Sequence, residues 1–257
     1  LLPALVTPLL CLFWLSLTVA GRDFMAFQWE SLLLESGFLA IFLAPMSASL
    51  GRGERPSVLA ILLVRWLLFR LMFMSGLVKL LSGDSSWRYF TALFYHFETQ
   101  PLPTVLGWQA YQLPSWSLVA LTGLMYLVEI GLAFFVFGHR KLRLIAFIGF
   151  VALQFGIAAT GNYGYFNLLA LVLCIPLLDD RILRSAKRLP LRLLPARNGL
   201  LAVRSFVLVG AALVILLVST MQLLSGLRLK REWSEPLRNL YATAAPFRSI
   251  NSYGLFA

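Results

Sequence analysis

SVLAILLVRWLLFRLMFMSGLVKLL, residues 57–81, decides the fold. Arg65, Arg70 and Lys79 are its only charges, and its length exceeds the ~20 residues a ~30 Å hydrocarbon core requires. Apolar residues occupy every side of a helix drawn through it, so no face is left for water. It reads as a membrane span. Working outward in both directions, the pattern recurs at 1–20, 27–44, 116–137, 144–160, 165–178 and 201–224. The reading is an all-α, polytopic membrane helical bundle of about seven transmembrane helices, with short interfacial helices in the loop 83–115. Composition agrees: 60% of the 257 residues are hydrophobic and 13% charged, against about 25% charged in soluble domains. Residues 1–224 are read as the transmembrane bundle and 225–257 as the start of an outer C-terminal region. With no initiator Met and an end on NSYGLFA, the chain is expected to be part of a longer protein.

The net charge of +11 would point a soluble chain toward nucleic acid. Here the basic residues concentrate in the loops 45–56, 138–143 and 179–200, and the positive-inside rule explains them without a nucleic-acid partner. Alternation through seven spans puts all three loops and the N-terminus in the cytoplasm, and residues 83–115 and the C-terminus on the lumenal or periplasmic side. Cys11 and Cys174 each sit inside an apolar run, with no paired-cysteine framework or Cys/His cluster. That pattern calls for neither metal nor disulfide, and nothing in the chain calls for a cofactor. No internal repeat suggests a transporter.

Ionisable groups at depth in a membrane need a partner or a cavity. At ~1.5 Å per residue, Glu35 lies roughly 10 Å and Arg70 roughly 16 Å below the outer edge, within reach of a long Arg side chain. Glu129 and Arg65 both lie roughly 12 Å from the inner edge by the same arithmetic. The expected pairs are Glu35–Arg70 and Glu129–Arg65, with swapped partners as the alternative, either as part of a proton or substrate path or as glue between helices.

GDSSWRYFTALFYHFETQPLPTVLGWQAYQLPSW, residues 83–116, is the longest run that is neither span nor basic loop. We call it the shelf. Lys79, Asp84, Arg88, His96 and Glu98 gather there, with Gln28, Asn162 and Asn167 arriving from other spans. Asp84 suits a helix N-cap, and Trp87, Phe90 and Phe94 recur at i, i+3 and i+7 as one stripe of a short helix. Gln100-Pro101-Leu102-Pro103 breaks that helix. Val105, Trp108 and Tyr111 suggest a second interfacial turn. His96 and Glu98 could form an acid/base pair in an extended stretch before Pro101, though not on a helix, where they would not share a face. Alternatively His96 ties the loop to a backbone carbonyl. Catalytic candidates therefore stop at Lys79, His96 and Glu98, because no GxSxG, HExxH or phosphate-binding glycine loop occurs.

Four blocks, FMAFQWESLLLESGFLAIFLAP (24–45), GDSSWRYFTALFYHFETQPLP (83–103), GNYGYFNLLALVLCIPLLDD (161–180) and PFRSINSYGLF (246–256), resemble signature blocks of the lipase maturation factor family. HxETQPxP is the most distinctive part. The resemblance implies a multi-pass membrane protein of the endoplasmic reticulum that assists folding and assembly of secreted lipases, with a lumenal C-terminal domain following NSYGLF. A prokaryotic source would place it in the inner membrane. Membrane lipids and a secreted lipase or other exported client are the implied partners. Gly83, Asp84, Trp87, His96, Glu98, Thr99, Gln100, Pro101, Asn162, Tyr163 and Asn167 are the motif residues of the shelf and its neighbouring turn. A second likeness covers Gly76-Leu77-Val78-Lys79-Leu80 followed by Trp87, which is similar to the transmembrane domain of vitamin-K-dependent γ-carboxylases. It implies a catalytic lysine at Lys79 and a lipophilic cofactor or lipid as substrate. Snorkelling of Lys79 to the membrane edge is the plainer reading of that residue.

Overall fold

The structure, a computed structural model, describes residues 3–45, 56–100, 102–178, 198–227 and 232–254. The loops 46–55 and 179–197, which carry much of the basic charge, lie outside the described residues. So does Pro101. In chain order the helices are α1 (Pro3–Gly21), α2 (Gln28–Leu43), α3 (Val58–Leu81), α4 (Ser85–Arg88), α5 (Ala92–Thr99), α6 (Val105–Tyr111), α7 (Ser115–Tyr126), α8 (Arg140–Thr160), α9 (Phe166–Cys174), α10 (Asn198–Gly226) and α11 (Glu235–Ala244). Among the described residues there is no β-strand, and an isolated bridge joins Pro103 to Gly161.

Among the described residues, five stretches are long and apolar enough to cross a membrane: Pro3–Met25, Val58–Leu81, Ser115–Phe137, Arg140–Thr160 and Val203–Gly226. The all-α multi-pass reading holds, and most span boundaries fall within a few residues of those expected. Two expected spans are shorter helices. α2 has 16 residues and reaches about 24 Å, and the apolar helix Phe166–Leu177 is shorter still, against a core of ~30 Å. Side chains such as Leu5, Phe13 and Phe206 stand exposed on the long helices, as a lipid-facing surface requires.

The chain divides into two compact units. The first comprises Leu1–Leu67 and Asp179–Ser252. Within it α1 packs on α2, with Gly37 facing the Cys11 Sγ. Gln28, Glu30 and Glu35, the polar intrusions in α2, are all buried. Glu35 Oε2 accepts the backbone N–H of Asn251 at 2.9 Å, and the Asn251 amide also donates to Ser31 O at 3.1 Å. Arg204 on α10 donates to the carbonyls of Phe42 and Ala44, satisfying groups that the end of α2 leaves without an intrahelical partner. Trp66 Nε1 donates to Ser219 Oγ at 2.8 Å.

The second unit comprises Leu68–Leu178 and Tyr253–Ala257. After α7 its helix widens into a π turn at Leu127–Gly131 and tightens into a 3₁₀ turn at Leu132–Phe137. Phe69 and Phe73 of α3 pack edge-on against Phe134, which begins to close this span onto α3. Gly76 completes the contact: a Cβ there would lie 2.6 Å from Ile130 Cγ1 and 3.0 Å from Glu129 Cβ. The last turns of α3 thus sit beside the π turn, halfway along the neighbouring span. Arg70, 2% exposed, lies with its guanidinium 5.6 Å from the centre of the Tyr253 ring. Gly254 has φ +106° and leaves no room for a Cβ, which would come within 2.8 Å of Met74 O.

Candidate functional site

The shelf begins at Gly83, whose φ of +84° turns the chain out of α3. Asp84 then accepts the Ser86 N–H at 2.8 Å and caps α4, as its position before Ser85 suggests. α4 ends after Arg88, since Phe90 adopts φ +62°, a region that costs a non-glycine residue roughly 1–2 kcal/mol. Trp87, Phe90 and Phe94 therefore do not form the single helical stripe expected of them. Packing accounts for the break: Trp87 and Phe90 both turn onto Tyr126 of α7, at ring separations of 6.4 and 5.6 Å. The second expected turn is present as α6, capped by Thr104, whose Oγ1 accepts the Gly107 N–H.

α5 stays helical through Thr99. His96 and Glu98, about 200° apart on it, cannot converge as an acid/base pair, and the extended stretch that pairing needed is not formed. His96 turns instead to the α8–α9 turn, where its Nε2 lies 3.3 Å from Tyr163 Oη. Tyr163 Oη is 3.5 Å from Gln100 Oε1, and Gln100 Nε2 donates to Thr160 O at 2.8 Å. One phenolic proton serves one acceptor. An arrangement consistent with these distances has Nε2–H of His96 donating to Tyr163, Tyr163 donating to Gln100, and Gln100 donating to the Thr160 carbonyl. Thr104 adds its backbone N–H to Thr160 O at 3.3 Å and its hydroxyl to Ala159 O. Gly107 lets the two segments meet, because a Cβ there would stand 2.3 Å from Thr160 O. The HFETQPLP and GNYG blocks are thus one interlocked structure.

Burial, and secondarily the charge of Lys79, holds His96 below its ordinary value of 6.5, while burial raises Tyr163. Both are neutral at pH 7. The cluster is a hydrogen-bonded clasp.

Lys79 and Glu129 form the other polar centre. The Lys79 Nζ lies 2.7 Å from both Glu129 oxygens, with Met125 Sδ at 3.5 Å and the Trp87 ring centre at 5.4 Å. Depth arithmetic nominated Arg65 for Glu129, and Lys79 is the partner found. The reason is the register set by Gly76: equal distances from helix ends do not mean equal heights when one helix begins well beyond the end of its neighbour. The Lys79 amine is thereby held against both oxygens of the Glu129 carboxylate.

The remaining motif residues shape the backbone. Thr99 Oγ1 donates to Tyr95 O, Asn162 Oδ1 accepts the Gly164 N–H, and Asn167 Nδ2 donates to the Gln154 carbonyl below the turn. Gln28 is buried at the start of α2 in the first unit. Glu98, on the far side of α5 from His96, borders an open cleft of about 500 Å³ with Phe94, Tyr95, Tyr111, Gln112 and Ser115 among its lining. Tyr95 and Gln112 were not singled out from sequence, and no local signal marks them. Thr104 also escaped notice, although a threonine just before a helix is an ordinary N-cap signal. Among the described residues no three His, Cys, Asp or Glu side chains come together as a metal site would need.

Long apolar helices, together with a loop segment locked onto the turn between two of them, define a multi-pass membrane protein with an ordered shelf. Residues 3–185 match the family described as lipase maturation factor transmembrane domain. The chain belongs to the lipase maturation factor family. It is 48% identical to lipase maturation factor 2 of Xenopus tropicalis over 182 residues, covering 69% of this chain and 26% of that protein. Against the Homo sapiens protein of the same name it is 46% identical over 183 residues, covering 67% and 26%. Lipase maturation factor 1 of Mus musculus is 33% identical over 172 residues, covering 66% and 30%. The chain thus spans about a quarter of the length of the lipase maturation factor 2 relatives it matches. No solved structure matches it.

Proposed function

We propose that this chain is the membrane-embedded part of a maturation factor that assists the folding and assembly of exported lipases. It resides in the endoplasmic reticulum membrane, with the shelf and C-terminus lumenal and the N-terminus cytoplasmic. The observation that carries this reading is the family match over residues 3–185. The shelf's surface supports it. Leu102, Val105, Trp108 and Trp116 are each more than half exposed, and contiguous exposed apolar side chains mark interaction sites. A partly folded protein that seeks lipid would find there a surface that is both aromatic and at the membrane edge. The clasp keeps that surface in one conformation, which lowers the ordering cost of capture.

The test is secretion of active lipoprotein lipase from cells lacking their own maturation factors, with and without the full-length protein that carries this chain. Restored activity per secreted molecule is expected, together with co-capture of the lipase. Replacing Trp108 and Trp116 by Ala should lower the restored activity while leaving the protein's own level unchanged. Equal activity with and without the protein would overturn the proposal.

A further inference from the structure

The cleft on the Glu98 side of α5 has a chemistry that neither the clasp nor the Lys79–Glu129 pair uses. Its lining brings one carboxylate, Glu98, together with the rings of Phe94, Tyr95 and Tyr111, and contributes no Lys or Arg. In a chain with 22 basic and 11 acidic residues, an anionic pocket free of basic lining is not a generic piece of surface. Among the described residues, Glu98 has no ion pair or hydrogen bond through its carboxylate, and the Tyr95 and Tyr111 hydroxyls have no partner. Apart from Leu113 and Leu118, the lining around Glu98 is aromatic or neutral polar, so the site presents negative charge and π-faces to whatever enters. Aromatic faces attract cations, and quaternary ammonium groups are the ligands that such aromatic boxes hold best.

The position of the cleft selects the source of the cation. Ser115 and Leu118, which line it, belong to the first turn of a span long enough to cross the membrane. Trp108 and Trp116, 64% and 74% exposed, flank the same loop, and exposed tryptophans at the end of a span settle at headgroup level. The cleft is open to the outside rather than enclosed. Its floor includes Leu118, 2% exposed, and its rim includes Leu113, so apolar surface continues from the polar mouth toward the span. That sequence of surfaces, cation site first and hydrocarbon contact next, follows the order of groups in a choline phospholipid.

We propose that this cleft binds the quaternary ammonium of a choline phospholipid headgroup, with Glu98 as counter-ion and Tyr95 and Tyr111 as the walls. The role is independent of the client assignment: the shelf would hold a lipid whether or not a lipase docks nearby.

The experiment uses the full chain purified in a detergent without ammonium groups. Saturation-transfer NMR measures binding of tetramethylammonium, of its neutral isostere neopentane carried as 3,3-dimethylbutanol, and of dihexanoylphosphatidylcholine. Saturable binding of tetramethylammonium, little of the neutral alcohol, and tighter binding of the short phospholipid are expected. Glu98→Gln and Tyr111→Leu should each weaken the phospholipid by about tenfold, the equivalent of ~1.4 kcal/mol. Unchanged thermal midpoints in both variants establish that the fold is intact. Equal binding of the cation and its neutral isostere overturns the site. So does a Glu98→Gln variant that binds as well as the parent. If free choline or N-acetyl-lysine methyl ester binds as tightly as the phospholipid, the lipid assignment is overturned in favour of a soluble cation or a cationic peptide.

Discussion

At the scale of single residues, His96 is the group whose environment has a consequence that can be measured. Its ring faces the Tyr163 hydroxyl, and the charge of Lys79 is the ionic group that acts on it. Protonation would place a second positive charge near Lys79 and would force a buried ring to become charged. The folded state therefore prefers the neutral form, and the folded value lies below 6.5. A lowered folded value means that this stabilisation is fully present above the ordinary value and is lost as pH falls through the folded one. The thermal midpoint in detergent should thus decline as pH is taken from about 7.5 to about 5, the window in which a histidine titrates. His96→Gln keeps an N–H for Tyr163 but does not titrate, so it should flatten that decline. A variant with the parent's slope would show that another group is responsible. This clasp was only half legible from sequence. Asp84 could be assigned as a cap because its acceptor and donor are two residues apart. Gln100 could not be placed, since Tyr163 stands 63 residues further on and only the fold brings them together. His96 and Glu98 misled for a related reason: the reading allowed an extended stretch before Pro101, and the helix in fact runs through Thr99.

Between elements, the packing of α3 on the π turn sets the register of the second unit. Hydropathy located both helices to within a residue or two, because a membrane demands a continuous apolar run of fixed length. It carried no information on their relative height, and so the partner of Glu129 was misassigned. Gly76 is the residue that fixes this height. Gly76→Ala would place a methyl 2.6 Å from Ile130 Cγ1, closer than real contacts allow, and overpacking of this kind costs about 1–3 kcal/mol. Ile130→Ala alone removes packing and also destabilises. In the double variant the methyl occupies space that Ile130 vacates, so the combined loss should fall short of the sum by about 0.5–3 kcal/mol, the range for residues in contact. Thermal unfolding of the four proteins measures the difference. Strict additivity would mean that Gly76 does not set the approach of α3 to the π turn. The widening at Leu127–Gly131 carries Glu129, whose carboxylate reaches the Lys79 side chain near the end of α3.

For the molecule as a whole, the remaining question is which loops share a side of the membrane, and crossing parity gives an expectation for each, one of them conditional on a short helix. If α3 and the Ser115–Phe137 span each cross once, the chain before α3 and the turn 138–143 are expected on one side. α8 is long enough to cross back, and the hydrogen bonds from Gln100 and Thr104 to the end of α8 hold the shelf against the GNYG turn, so both are expected on the side opposite 138–143. The conditional part is the loop 179–200. It rejoins the basic side only if the helix Phe166–Leu177 crosses, and at about 18 Å it is short for a ~30 Å core. The charge of the loop argues that it does cross. Six basic residues between Arg181 and Arg197 are strongly disfavoured on the translocated side of a membrane. A short helix can meet that demand by local thinning of the bilayer, at a fraction of a kcal/mol per Å. Single-cysteine variants Gln112→Cys, Lys141→Cys and Ala186→Cys, made after replacing Cys11 and Cys174 by Ser, separate the cases through labelling of sealed microsomes with an impermeant maleimide. Lys141→Cys and Ala186→Cys should react without permeabilisation and Gln112→Cys only after it. Protection of Ala186→Cys alone would show that Phe166–Leu177 does not cross, leaving the shelf's placement intact. Reaction of Gln112→Cys in sealed microsomes would put the shelf in the cytoplasm and end its candidacy as a surface for exported clients.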